Sequence, residues 1–177
     1  MSKILVSTNA QKIMDCLIQH PASQFLAGEI QKAAKVSKGG VNLALRKLAS
    51  EKLLKREKRG RTFFYTVEYS EPIIKQLKVL KNIEFLSSLV NKIKALSIKI
   101  VLFGSSARGE DAAKSDIDIF ILTHNPRELE SMLNKQKLRR KIQPIIRNPV
   151  SFAEMQKKEP VFFEEIARGI TLWEAKE

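Results

Sequence analysis

The sequence predicts an α+β chain made of two unlike halves, and three observations carry that expectation. A basic N-terminal third reads as three short helices followed by two strand-like runs. A long apolar stretch, "PIIKQLKVLKNIEFLSSLVNKIKAL", then reads as one helix. Beyond it, "SIKIVLF" and "SDIDIFIL" flank a turn and a short helix, as in a small sheet covered by helices. With 177 residues and 44% hydrophobic content, the chain suffices for one ordinary domain or two small ones.

The net charge of +13 is unevenly placed. Residues 1–70 carry 13 Lys/Arg against 5 Asp/Glu, residues 71–100 carry 6 against 2, and residues 101–177 carry 13 against 12. The basic excess therefore belongs to the N-terminal part, where it favours a polyanionic partner. No apolar run approaches a membrane span, and "MSKILVSTNAQK" lacks a signal-peptide pattern. A cytoplasmic protein with no membrane partner is expected. Cys16, the single cysteine, cannot form an intrachain disulfide and reads as a small core residue.

In "NAQKIMDCLIQHP", Ala10, Ile13, Met14 and Leu17 follow the three-four spacing of an amphipathic helix. Thr8 or Asn9 caps its start and Pro21 forbids easy continuation. His20 reads as a residue of the helix end, since no second His or Cys is near it to make a metal site. "LAGEIQKAAK" is a second helix, "VSKGG" a turn, and Ser37 the cap of a third helix over 38–53. Val41, Leu45 and Leu48 share one face of that helix, while Asn42, Arg46 and Lys47 point elsewhere. "KREKRGRTFFYTV" then makes a hairpin whose tip, Lys58-Arg59-Gly60-Arg61, suits contact with phosphates.

Three short helices and a basic hairpin in this order resemble a winged helix-turn-helix domain over roughly residues 8–68. The resemblance implies double-stranded DNA as partner: the third helix in the major groove, with Lys38, Asn42, Arg46 and Lys47 on the groove side, and Arg59 and Arg61 on the wing. Winged helices also serve as protein docking modules, and the bland reading of the same face is a solvated surface. The connecting helix, with Ser70 and Pro72 as start signals, carries Val79, Ile83, Leu86, Val90 and Ile93 in four-three steps, resembling a heptad seam. Ile73, Leu77, Leu80, Leu89 and Leu96 add a second apolar stripe. Such a helix must be covered on more than one side, and a homodimer is expected to cover one of them. The expected organisation is a winged-helix domain at 1–70, the connecting, dimerising helix at 71–96, and a third region at 97–177.

In that third region, residues two apart on "SDIDIFIL" share a face. Asp116 and Asp118 project together, while Ile117, Ile119 and Ile121 point into apolar packing. Paired carboxylates suit a hard divalent cation, and Mg²⁺ prefers one or two such ligands plus phosphates and waters. Gly104 lets a phosphate approach the backbone, and Ser105 adds a hydroxyl at the start of the helix read in "SARGEDAA".

"VLFGSSARG…SDIDIFIL", together with the closing "FFEEIARGITLWE", is similar to the DNA polymerase β superfamily, above all its minimal nucleotidyltransferases of archaea and bacteria. The resemblance spans roughly 97–175 and implies a nucleotidyltransferase fold, a small mixed sheet flanked by helices. It further implies Gly104 and Ser105 on the β and γ phosphates of a nucleoside triphosphate (ATP in the first place), with Mg²⁺ (or Mn²⁺) on Asp116 and Asp118 as the catalytic pair. Arg108 either touches phosphate or steadies the turn. The reaction implied is attack of a hydroxyl on the α-phosphate with release of pyrophosphate. Minimal nucleotidyltransferases often act as antitoxins that modify a partner toxin, so a protein acceptor for AMP enters by resemblance.

The family supplies a third acid from a later strand, but "RKIQPIIRNP" contains none. Gln143 takes the expected place, with Pro144 beside it implying an edge strand or bulge; Glu154 or Glu159 is the alternative source. Two functions are therefore expected: a DNA-associated transferase of AMP, or a winged-helix transcriptional regulator whose impaired transferase domain senses nucleotide.

Overall fold

The computed structural model describes residues 8–20, 23–112 and 115–176; Pro21, read as a helix stop, lies outside them. The chain divides into two compact units, 1–78 and 79–177.

In the first unit, helix α1 (Asn9–Leu17) starts at Thr8, whose hydroxyl accepts from the Gln11 amide while the Gln11 side chain accepts from the Thr8 amide. This reciprocal box satisfies donors that a helix start otherwise leaves open. His20 lies beyond the helix, its ring edge-on to Phe25. A two-residue strand β1 (Phe25–Leu26), which no sequence signal announced, leads into α2 (Ala27–Ala34). Ser37 caps α3 (Lys38–Ser50), accepting from the Gly40 amide at 3.1 Å. This helix ends before the expected residue 53, because Lys52 takes a left-handed conformation and Leu54 already opens strand β2 (Leu54–Arg59). β2 pairs antiparallel with β3 (Thr62–Val67) through the tip at Gly60 and Arg61, and β1 adds to the far side of β3. Gly60 has φ +59°, the left-handed conformation that glycine adopts without strain. Ile13, Leu17, Ile30, Val41, Leu45, Leu48, Leu54 and Tyr65 form the core. Cys16 packs against it half-buried, and burial, then Asp15, pushes its thiol pKa up. Three helices closed by a β-hairpin constitute a winged helix-turn-helix.

Helix α4 (Pro72–Ile93) supplies Ile74 to this first core. In the second unit Leu86, Leu89 and Ile93 are buried among the strand residues of that unit, with Ile83 and Val90 packed on them. Ile83, Leu86, Val90 and Ile93 of the heptad-like seam thus pack within their own unit, while Ile73 and Leu80 of the second stripe are exposed. A 3₁₀ turn (Lys94–Leu96) leads to β4 (Lys99–Leu102), α5 (Gly104–Arg108), β5 (Ile117–Leu122), α6 (Pro126–Asn134), β6 (Ile142–Arg147), α7 (Pro149–Lys158), α8 (Pro160–Ala167) and β7 (Ile170–Glu174).

The sheet order is β6-β5-β4-β7, with β5 and β6 parallel and the other pairs antiparallel. Helix α5 is shorter than "SARGEDAA" implied: Gly109 at φ +68° caps it, and Glu110 to Ala112 lie outside. Pro144 sits on β6, an edge strand, where its missing N–H is tolerated. Ile117, Ile119 and Ile121 are buried against α4 residues, and Phe120 on the other face packs with Phe103, Met155 and Ile166. Among the described residues, no helix is long and apolar enough to cross a membrane.

Candidate functional site

The site in the second unit begins where β4 ends. Phe103 is extended and its amide donates to the Asp118 carbonyl at 3.2 Å, which brings the following residue against β5. That residue is Gly104, at φ +67°. A Cβ there would lie 2.7 Å from Asp118 Oδ2, so two separate constraints call for glycine: the backbone angle and the carboxylate against it. Ser105 follows on the first turn of α5, half-buried.

Asp118 is half-buried on the face opposite the isoleucines. Burial first, then Glu165, then Asp116, raise its pKa above the usual carboxylate value. Asp116, just before β5, is held by the Lys141 ammonium, Nζ to Oδ2 at 2.7 Å. Arg108 is occupied too: its Nε donates to Glu110 at 3.0 Å and Nη1 lies 3.7 Å from Glu165. Those contacts steady the turn and tie α5 to α8.

Gln143, expected at the place of a third acid, is the parallel register partner of Asp118 across β5 and β6. Register partners share a face, so a neutral amide stands next to the paired carboxylates. Glu154 is exposed and bonded to Lys158, and Glu159 sits at the junction of α7 and α8; the acidic neighbours of Asp118 are Glu165 and Asp116. Among the described residues no three His, Cys, Asp or Glu side chains gather as a metal-ligand set, which leaves the pair Asp116 and Asp118. Two oxygen donors beside a glycine cradle fit Mg²⁺ with phosphates completing its shell.

Sequence reasoning missed Glu165, Lys141 and a polar cluster behind the site. Lys141 was within reach, since it precedes Gln143 by two and so shares its face once the parallel register is known. Glu165 comes from a helix 47 residues downstream of Asp118 and has no local signal.

The second candidate surface lies on the first unit. Lys38, Asn42, Arg46 and Lys47 are all exposed on α3, opposite the buried Val41, Ala44, Leu45 and Leu48. Lys47 sits 3.9 Å from Glu51, a long and exposed pair that holds it weakly. Leu43 is also exposed on this side, at 73%. On the hairpin Arg61 is exposed at the tip, whereas Arg59 makes a bidentate pair with Glu57, both bonds 2.9 Å, and lies over Phe64. Arg56 stacks 3.6 Å above the Phe63 ring. Of the two expected wing cations, Arg61 is thus presented freely to solvent and Arg59 is already paired.

Fold and site together define a two-part α+β protein: a winged helix-turn-helix joined by a long helix to a mixed sheet bearing a Gly-Ser cradle and an Asp-x-Asp strand. The sequence model of the nucleotidyltransferase family described as polymerase beta matches residues 71–177, and the chain belongs to that family. Among solved structures it is similar to NolR from Sinorhizobium fredii (14% identity, 51% of this chain and 77% of that one, TM-score 0.34). It is also similar to a protein of Sulfolobus solfataricus described as a nucleotidyltransferase (15% identity, 56% and 86%, TM-score 0.38). A variant of ZitR from Lactococcus lactis gives 26% identity over 50% of this chain and 62% of that one, with TM-score 0.35. No curated protein matches the chain.

Proposed function

We propose that the chain is a DNA-binding regulator whose nucleotidyltransferase domain binds a magnesium–nucleoside triphosphate, ATP in the first place, and senses it without turning it over. One observation carries the choice: Gln143 stands in register with Asp118 where a third carboxylate would stand. Asp116 and Asp118 would hold the metal, and Gly104 and Ser105 the β and γ phosphates. The metal supplies charge neutralisation for the triphosphate. A glutamine oxygen has no proton affinity suited to a general base, so an attacking hydroxyl would lack its acceptor. On the first unit, the exposed cations of α3 and Arg61 would contact duplex DNA, Asn42 and Arg46 being suited to base edges.

A second reading, transfer of AMP to a hydroxyl of a protein acceptor, draws on Glu165, the acid that acts most strongly on Asp118. Incubation with ATP labelled on the α-phosphate, Mg²⁺ and a lysate separates the two. Saturable ATP binding without transfer supports the sensor; label on a macromolecule, lost in Asp116→Asn, overturns it in favour of the transferase. DNA binding is tested by gel retardation on random duplex. The double variant Arg46→Ala/Arg61→Ala should weaken binding roughly tenfold, and wild-type affinity should fall steeply with salt. An unaffected double variant would remove this surface from the proposal.

A further inference from the structure

Behind the Gly104 cradle lies a polar cluster that no carboxylate–metal chemistry uses. Asn82 on α4 and Asp111 after α5 are buried, at 4% and 5% exposure. The Asn82 amide nitrogen donates to the Ser106 carbonyl at 3.0 Å and to Asp111 Oδ1 at 3.1 Å. Arg140, just before β6, donates from Nη1 to Asn82 Oδ1 and from Nη2 to Asp111 Oδ2, both at 2.9 Å. The same Nη2 donates to the Ser115 carbonyl at 3.0 Å. Taking an Arg–Asp pair out of water is costly, and good geometry with several hydrogen bonds offsets it. Both Nη atoms of Arg140 are bonded, while its buried Nε has no hydrogen-bond partner among the described residues. Here those bonds end on two backbone carbonyls that belong to the two halves of the site. Ser106 lies one residue after Ser105, and Ser115 one residue before Asp116.

We infer that Asn82, Asp111 and Arg140 are positioning residues that set the spacing between the Gly104-Ser105 cradle and the Asp116-Asp118 carboxylates. The inference rests on the reading of that site as a metal–nucleotide site and adds its supporting residues. Asn82 anchors the α5 half, Arg140 anchors the β5 half, and Asp111 bonds to both and fixes their mutual orientation. Arg140 also fixes the start of β6, where the Lys141 carbonyl accepts from the Ile117 amide at 3.0 Å and the Lys141 side chain reaches Asp116. A lysine at 140 would keep the charge that balances Asp111 but lose the planar fork that reaches three acceptors at once. Supporting shells of this kind affect metal affinity by about 10- to 100-fold.

The test uses the full chain, ATP as the probe, and two conditions: Mn²⁺ present, or metal removed by chelator. The quantity read is the ratio of the two ATP dissociation constants. Arg140→Lys and Asn82→Ala should each lower the metal-dependent gain about tenfold or more while leaving metal-free ATP affinity within twofold of wild type. Fluorescence of Trp173, the single tryptophan, monitors folding of the same unit in urea, so that the ratio is compared only where the variant is folded. Should Arg140→Lys fail to fold, Asn82→Ala stands as the independent variant. A wild-type gain that survives intact in a folded variant overturns the inference and leaves the site reading standing. Equal loss with and without Mn²⁺ assigns the cluster to general stability, which also overturns it. Absence of any metal-dependent gain in wild type overturns the site reading and this inference with it.

Discussion

Replacing Gly104 by alanine separates what the cradle contributes to folding from what it contributes to binding. At φ +67° an L-residue carries about 1–2 kcal/mol of strain. Alanine recovers about 0.4–1 kcal/mol of this by restricting the unfolded chain. The new Cβ would sit 2.7 Å from Asp118 Oδ2, and ordinary contact begins at 3.4 Å, so the carboxylate must move by about 0.7 Å. A short side chain achieves that by leaving its preferred rotamer, at about 0.5–1.5 kcal/mol. The net loss is then about 0.5–3 kcal/mol, tolerable for a unit with its own core, and the variant should fold. The carboxylate proposed to hold the metal is displaced, however, and on that proposal Mg-ATP affinity should drop at least tenfold. Urea titration followed at Trp173 gives the first number and calorimetry the second. In an Asp118→Ala background the steric part disappears, so the stability loss from Gly104→Ala should shrink to the backbone part alone. Wild-type Mg-ATP affinity in Gly104→Ala, or an unchanged loss in the Asp118→Ala background, would refute the close approach of cradle and carboxylate.

Further outcomes follow from the same structure. Lys141→Ala removes the ammonium that competes with a cation for Asp116, so Mn²⁺ measured by electron paramagnetic resonance should bind up to about fivefold tighter, within the 0.2–1 kcal/mol of an exposed pair. Since burial and then Asp15 raise the Cys16 thiol, less of it is thiolate at neutral pH in the folded protein than in the unfolded chain. Iodoacetamide should therefore alkylate native protein more slowly than urea-unfolded protein, and equal rates would count against that burial. Ser37→Ala deletes the cap of α3 and should cost about 1 kcal/mol in denaturant titration. Leu45→Ala, at a fully buried position, should cost about 2–5 kcal/mol and leave Mg-ATP affinity of the other unit unchanged.

Local chemistry made much of this protein legible from the chain alone. Three-four spacing placed α1 and its buried Ile13, Met14 and Leu17, because a helix must bury one stripe. Period-two alternation put Asp116 and Asp118 on one face and Ile117, Ile119 and Ile121 on the other. Ser37 and Thr8 announced helix starts, and the glycine at position 60 the hairpin tip. Each signal lies within a few residues of the structure it specifies. The apolar stripe of α4 shows the limit of such reading. Hydrophobic burial has no direction of its own, so the pattern says that Leu86 and Ile93 are covered without saying by what. Folding covers Leu86 and Ile93 with the chain's own strands.

The fine structure of the site is set at long range. Asp118 meets Gln143 through a parallel register between strands separated by α6, and Asp116 meets Lys141 through the same pairing. Glu165 arrives on α8, and Asn82, Asp111 and Arg140 come together from three separate segments. Residue type and spacing thus pointed to the groups proposed to hold a metal and a phosphate. Which cation guards Asp116, which acid perturbs Asp118 and which bonds hold the two halves of the site apart depend on contacts between distant segments, and only packing brings those segments together.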